Sequence, residues 1–161
     1  MTKIGPCLLA ALCLSVLSPT VSAQSLPQAK TSGAALVYST EGDYHNVKSD
    51  LVDAIESQGL VISYTAHAAN MLERTAEAVG ALARAYDNAD TLLFCKADLT
   101  YELTIANPHN LVLCPYSISI YTLANKPHRV YLSIRRPDLQ VAEYASIHSL
   151  LEAIIADTLS W

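Results

Sequence analysis

Cys95 and Cys114 stand nineteen positions apart in "FCKADLTYELTIANPHNLVLCPY". Each lies in or at the end of a β-rich run, so a bond between them needs only that the two strands be neighbours, with Cα atoms roughly 4.4–6.8 Å apart. A structural disulfide is the first expectation, and closing a loop of this size stabilises a fold by about 3 kcal/mol in the chain-entropy account. Two buried free thiols are the bland alternative, because an unpaired cysteine packs as a small hydrophobe. A redox or metal-binding pair is the third. Lys96 follows Cys95 at the start of a helical stretch and would lower a thiol pKa there. The chain has no Cys-x-x-Cys, the usual device for a poised dithiol.

Imidazole and thioether groups extend the inventory. His109 lies five residues before Cys114 across a turn, and soft sulfur with imidazole suits copper or zinc. Cys95, Cys114 and His109 are therefore the metal candidates of the alternative reading. His67 and Met71 form a weaker pair at i, i+4, one face of a helix. The paired Cys and His spacings of a structural zinc site are missing, as is the haem motif Cys-x-x-Cys-His. No Gly-x-Ser-x-Gly occurs, and Asp98 with Glu102 at i, i+4 reads as a solvated helix face, so hydrolysis is disfavoured. The expectation is a protein that is not an enzyme and needs no cofactor. Lys96, Asp98, Asn107, His109 and Tyr116 form the candidate ligand-contact surface. Tyr116, Tyr121 and Tyr131 on paired strands are ordinary cross-strand packing or the lining of a groove.

The ends and the charge set the context. Lys3, an apolar run from Leu8 to Leu17 and the small-residue site Val21-Ser22-Ala23 follow the order of a secretory signal peptide, residues 1–23. Export follows, to the periplasm in a Gram-negative cell, and it makes the remaining pair of cysteines a disulfide candidate. Residues 24–33 read as a flexible polar tail and residues 34–161 as one domain. Beyond the leader no apolar stretch is long enough to span a membrane, which takes roughly 20 residues. Nine Lys and Arg then face fifteen Asp and Glu. That excess of acid argues against nucleic acid and anionic membrane surfaces. The partner expected is a small molecule or a protein, a second copy of the chain included.

The elements that must position these residues follow from periodicity. "AALVYST" reads as a strand, and Asn46 as the N-cap of a helix over "VKSDLVDAIESQG" with Val47, Leu51 and Ile55 inward. Gly59 suits the helix end. "LVISYT" is a strand. "HAANMLERTAEAVGALARAYDNA" predicts a long second helix with Met71, Thr75, Val79, Leu82 and Tyr86 on one side, stopped by "DNAD". "TLLFC" is a short strand, "KADLTYELTIA" a short helix, and Asn107-Pro108-His109-Asn110 a turn. "LVLCPYSISIYTL" is the longest strand, with Val112, Cys114, Tyr116, Ile118 and Ile120 on one face. Pro115 marks it as an edge or a bulge. "RVYLSIRR" pairs with it, and "SIHSLLEAIIADTLS" is the last helix. The order β-α-β-α-β-α-β-β-α predicts a single α+β domain with a mixed or antiparallel sheet of about five strands and helices packed on it.

Several of these pieces resemble the domain of unknown function 302. They are "LLFCKAD", "ANPHN", "LCPYSISIY" and "VYLSIRRP", with "HAA" at residues 67–69 similar to that family's entry to its second helix. The resemblance spans roughly residues 40 to 137. It implies a compact α+β fold of the TATA-binding-protein-like type, in a family whose members are often dimeric and have no settled activity. Both cysteines depart from the family pattern: Cys95-Lys96-Ala97 stands where Gly-Asn-Pro is usual, and Cys114-Pro115 where leucine-proline is usual.

Overall fold

The computed structural model describes residues 28–138 and 140–160. The predicted signal peptide lies outside the described residues. Six strands form one sheet: β1 (Lys30–Ser32), β2 (Ala35–Glu41), β3 (Ile62–Ala66), β4 (Tyr86–Phe94), β5 (Tyr116–Leu123) and β6 (Lys126–Arg135). The spatial order is β1-β2-β6-β5-β4-β3, and every neighbouring pair is antiparallel. The architecture is the α+β class expected, with one strand more than the five anticipated. That extra strand, β1, comes from the polar stretch read as a tail and pairs with the edge of β2.

Helices α1 (Tyr44–Ser57) and α4 (Tyr144–Thr158) lie together against one face of the sheet. Their buried stripes, Val47, Leu51 and Ile55 on α1 and Ile147, Leu151, Ile154 and Ile155 on α4, meet alternate strand residues. Those are Tyr38 of β2, Leu92 and Phe94 of β4, Ile118 and Ile120 of β5, and Val130, Leu132 and Ile134 of β6. Period-2 alternation puts Val37, Thr91, Leu93, Ser117, Ser119, Tyr121, Tyr131 and Ser133 on the opposite face, where none is buried. On that face Tyr121 stacks on Tyr131 with ring centroids 5.3 Å apart, which is the cross-strand packing expected of the pair. Asp43 is the N-cap of α1, its carboxylate accepting from the backbone N–H of His45 and Asn46 at 2.9 and 3.1 Å. The cap thus falls three residues before Asn46. Gly59 follows the helix with φ of 72°, where only a residue without Cβ is unstrained.

Two predicted elements are redrawn. Helix α2 covers only Ala68–Thr75, where a helix to residue 89 was expected. The chain turns at Gly80, whose φ is 65°, and residues 86–90 join β4 instead. Helix propensity loses here because a longer helix would have no apolar surface to meet, whereas strand pairing with β5 closes the backbone hydrogen bonds of residues 86–90. Val79 and Leu82, placed inward by the helical stripe, are 73% and 101% exposed. Similarly, the long strand 111–123 begins only at Tyr116, after a 3₁₀ turn over Pro108–Leu113. β5 is an interior strand, flanked by β4 and β6. Pro115 has no N–H to give a ladder, so it sits just before the strand rather than inside it. Val112 consequently points to solvent, 84% exposed.

Candidate functional site

Strand β4 organises the chemistry of the molecule. At its start Tyr86 borders a cleft, at its middle Asp90 faces the helices, and just past its end Cys95 is bonded to Cys114. The disulfide joins the exit of β4 to the residue before Pro115 and β5, with Cα atoms 6.0 Å apart. Register explains it: Phe94 pairs with Tyr116, so Cys95 leaves β4 opposite Pro115, one residue from Cys114. Helix α3 (Ala97–Ala106) and the 3₁₀ turn fill the loop so closed.

Asp90 is the buried acid of the sheet, 8% exposed. Its Oδ2 accepts from the Tyr44 hydroxyl at 2.8 Å and from Lys48 Nζ at 2.6 Å. Its Oδ1 faces His67 Nδ1 at 2.8 Å. Tyr44 and Lys48 reach it together because they lie one helical turn apart on α1. His67 arrives through pairing: Ala66 sits opposite Thr91, which brings the next residue of β3's exit beside Asp90. Burial alone would push the Asp90 carboxyl up. The hydrogen bonds from Lys48, Tyr44 and His67, with the lysine's charge, outweigh it and hold the group below its ordinary value. Tyr44 is driven well above the usual phenol range by burial first and by Asp90 second, so it remains a donor. An ionised carboxylate only accepts, so the Nδ1 of His67 is the donor in this contact and Nε2 is the ring nitrogen left outside it.

A second polar cluster lies under β2. Tyr38 donates to Glu152 Oε1 at 3.0 Å, and His148 Nδ1 lies 3.2 Å from Glu152 Oε2.

The residues expected to contact ligand separate into two groups. Lys96 and Asp98 pair at 3.2 Å at the start of α3, beside Tyr116. Tyr116 is buried, 3% exposed, and its hydroxyl is bonded to Thr100 at 3.0 Å. Asn107 and His109 lie beyond the other end of the ten-residue helix, about 15 Å away along its axis. There the Asn107 side chain accepts from the His109 backbone N–H at 3.0 Å and starts the 3₁₀ turn. His67 begins α2 but makes no side-chain capping bond; its ring is spent on Asp90. Cys95 and Cys114 are bonded, so neither presents the thiolate that a metal ligand requires.

Sequence reading missed Tyr44, Lys48 and Asp90. Asp90 stands in "DNAD", which looks like a helix stop. The available signal was an acid set directly before an apolar strand run, "DTLLF", with Tyr44 and Lys48 at helical spacing upstream.

Two clefts adjoin α2. One, of about 350 Å³, lies between α2 and the excursion 76–85, lined by Leu72, Ala76, Val79, Leu82, Ala83 and Tyr86. The other, about 650 Å³ and more open, is lined by Tyr64, His67, Asn70, Met71 and Arg74.

No protein-family model matches the sequence, and no curated protein matches it. Among solved structures the chain is similar to the crystal structure of an uncharacterized conserved protein, DUF302, from Bacillus stearothermophilus. The TM-score is 0.55 at 11% identity, over 80% of this chain and 94% of that one. The fold is thus like that of a domain of unknown function 302, as the sequence motifs implied, and identity this low speaks to fold alone.

Proposed function

We propose that the chain is an exported, non-enzymatic binding module, stapled by the Cys95–Cys114 disulfide, which takes an apolar ligand or side chain in the cleft between α2 and residues 76–86. The observation that carries this reading is the apolar excursion itself. Leu72, Val79 and Leu82 are 44%, 73% and 101% exposed around a cleft of about 350 Å³. Apolar side chains gathered at a concave surface are the usual mark of a binding site. The staple is a separate feature, set off from the cleft by about 30 Å of strand. The polar rim of α3, with Lys96, Asp98, Asn107 and His109, serves as a further contact surface, supported from beneath by Tyr116. Copper or zinc handling by the cysteines would require the reduced protein, which the bond disfavours.

A neutral environment-sensitive dye, N-phenyl-1-naphthylamine, tests the cleft. The folded protein should bind it saturably. Leu82→Asp and Val79→Glu should each weaken binding about tenfold or more, the loss of roughly 1.4 kcal/mol of apolar contact, at unchanged melting temperature. Absence of saturable binding, or indifference to both substitutions, sinks the reading.

A further inference from the structure

The Asp90 cluster also orders a side chain that reaches solvent. Lys48 already neutralises the buried carboxylate, and Tyr44 gives it a second donor. Both of those donors reach Oδ2, and His67 is the partner of Oδ1; the contact also fixes the imidazole. With Nδ1–H committed to Oδ1, the ring is held in one tautomer and orientation, and 60% of the side chain remains exposed. His67 lines the open cleft together with Tyr64, Asn70, Met71, Glu73 and Arg74. Residues 67, 70, 71 and 74 are spaced to share one face of α2. Side chains on a helix lean toward its N-terminus. Arg74 does so here, its Nε donating to the Asn70 carbonyl oxygen at 3.4 Å. The cleft thus combines an oriented imidazole with an arginine side chain. Among the described residues no three His, Cys, Asp or Glu gather to hold a metal ion, so the donor set suits an organic ligand better than a cation.

We infer that this cleft is a binding site for a small hydroxylated organic anion. Arg74 pairs with the anionic group, and the hydroxyl donates to His67 Nε2. The site is independent of the apolar cleft, with which it shares only Glu73.

The test uses the folded full chain, L-lactate and its deoxy counterpart propionate, followed by nitrogen-resolved NMR. In the free protein His67 should show a single Nδ1–H tautomer. Lactate should shift His67, Tyr64 and Arg74 and bind about tenfold more tightly than propionate, the difference expected of one hydrogen bond at an oriented acceptor. His67→Phe should erase that preference while propionate binding persists, and Asp90→Asn should reduce it by mixing the tautomers. Should Asp90→Asn not fold, the wild-type tautomer and His67→Phe carry the test. Equal affinity for the two acids, no binding of either at tens of millimolar, or shifts confined to other surfaces would overturn the inference. Dye binding in the neighbouring apolar cleft reads the other proposal separately.

Discussion

Asp90 concentrates three donors on one carboxylate, and its removal has a cost that depends on what is left behind. Asp90→Ala strands Lys48 beside the core and leaves the buried Tyr44 hydroxyl without its acceptor. A destabilisation of about 2–3 kcal/mol is expected, below the figure for a fully buried pair because the Lys48 side chain is 28% exposed. Chemical denaturation of the two proteins at neutral pH measures it. The same carboxylate predicts a pH dependence. Its folded value lies below the unfolded value of about 3.9, so its contribution is whole above that pH and is lost as pH falls through the folded value. Wild-type stability should therefore decline below about pH 4 more steeply than that of Asp90→Asn. Parallel acid profiles would remove Asp90 from the list of stabilising acids.

At the scale of elements, the disulfide and the helix start act on different parts of the folding equilibrium. The Cys95–Cys114 bridge closes a nineteen-residue separation around α3 and the 3₁₀ turn. Its main effect is on the unfolded chain, whose freedom it restricts, at about 3 kcal/mol in the loop-entropy account. The Cys95→Ser, Cys114→Ser double variant should lose about that much in urea unfolding while keeping its circular dichroism. A double variant as stable as the parent would show that the bridge adds nothing to stability. Alkylation and intact mass before and after reduction should find Cys95 and Cys114 blocked and then free. Helix α1 depends on Asp43, which satisfies two otherwise unpaired N–H groups. Asp43→Ala should cost about 1 kcal/mol.

On the scale of the whole molecule, burial divides apolar residues into those that hold the sheet to its helices and those left to function. Ile118 is 0% exposed between β4, β6 and the helical layer. Ile118→Ala should cost about 3 kcal/mol through lost contact and the cavity it leaves. Leu82→Ala, at a fully exposed side chain, should change stability by less than about 0.5 kcal/mol. Thermal unfolding of the pair checks the contrast. If Leu82→Ala proved as costly as Ile118→Ala, the excursion 76–85 would belong to the core and the cleft proposal would fall.

Local pattern sufficed wherever burial imposes a period on the sequence. Val47, Leu51 and Ile55 announce α1, and Tyr116, Ile118 and Ile120 announce β5, because a side chain excluded from water must recur at 3.6 or 2 residues. The α+β class followed from the same signals, and the Cys95–Cys114 bond was the first of three expectations, resting on export and the even cysteine count, with free thiols and a redox or metal pair beside it. Residues 76–90 did not. Their helical stripe was genuine in sequence, but only the completed sheet determines that residues 86–90 find hydrogen-bond partners in β5 while Val79 and Leu82 find no apolar surface. The Asp90 site lay out of reach for a related reason. Tyr44, Lys48, His67 and Asp90 come from two helix starts and a mid-strand position, spread over forty-six residues. Apart from the helical spacing of Tyr44 and Lys48, nothing local joins them. Strand register beside Thr91 and the docking of α1 on β4 bring four ordinary polar residues to one carboxylate, and register is settled by the whole hydrophobic face at once rather than by any segment alone.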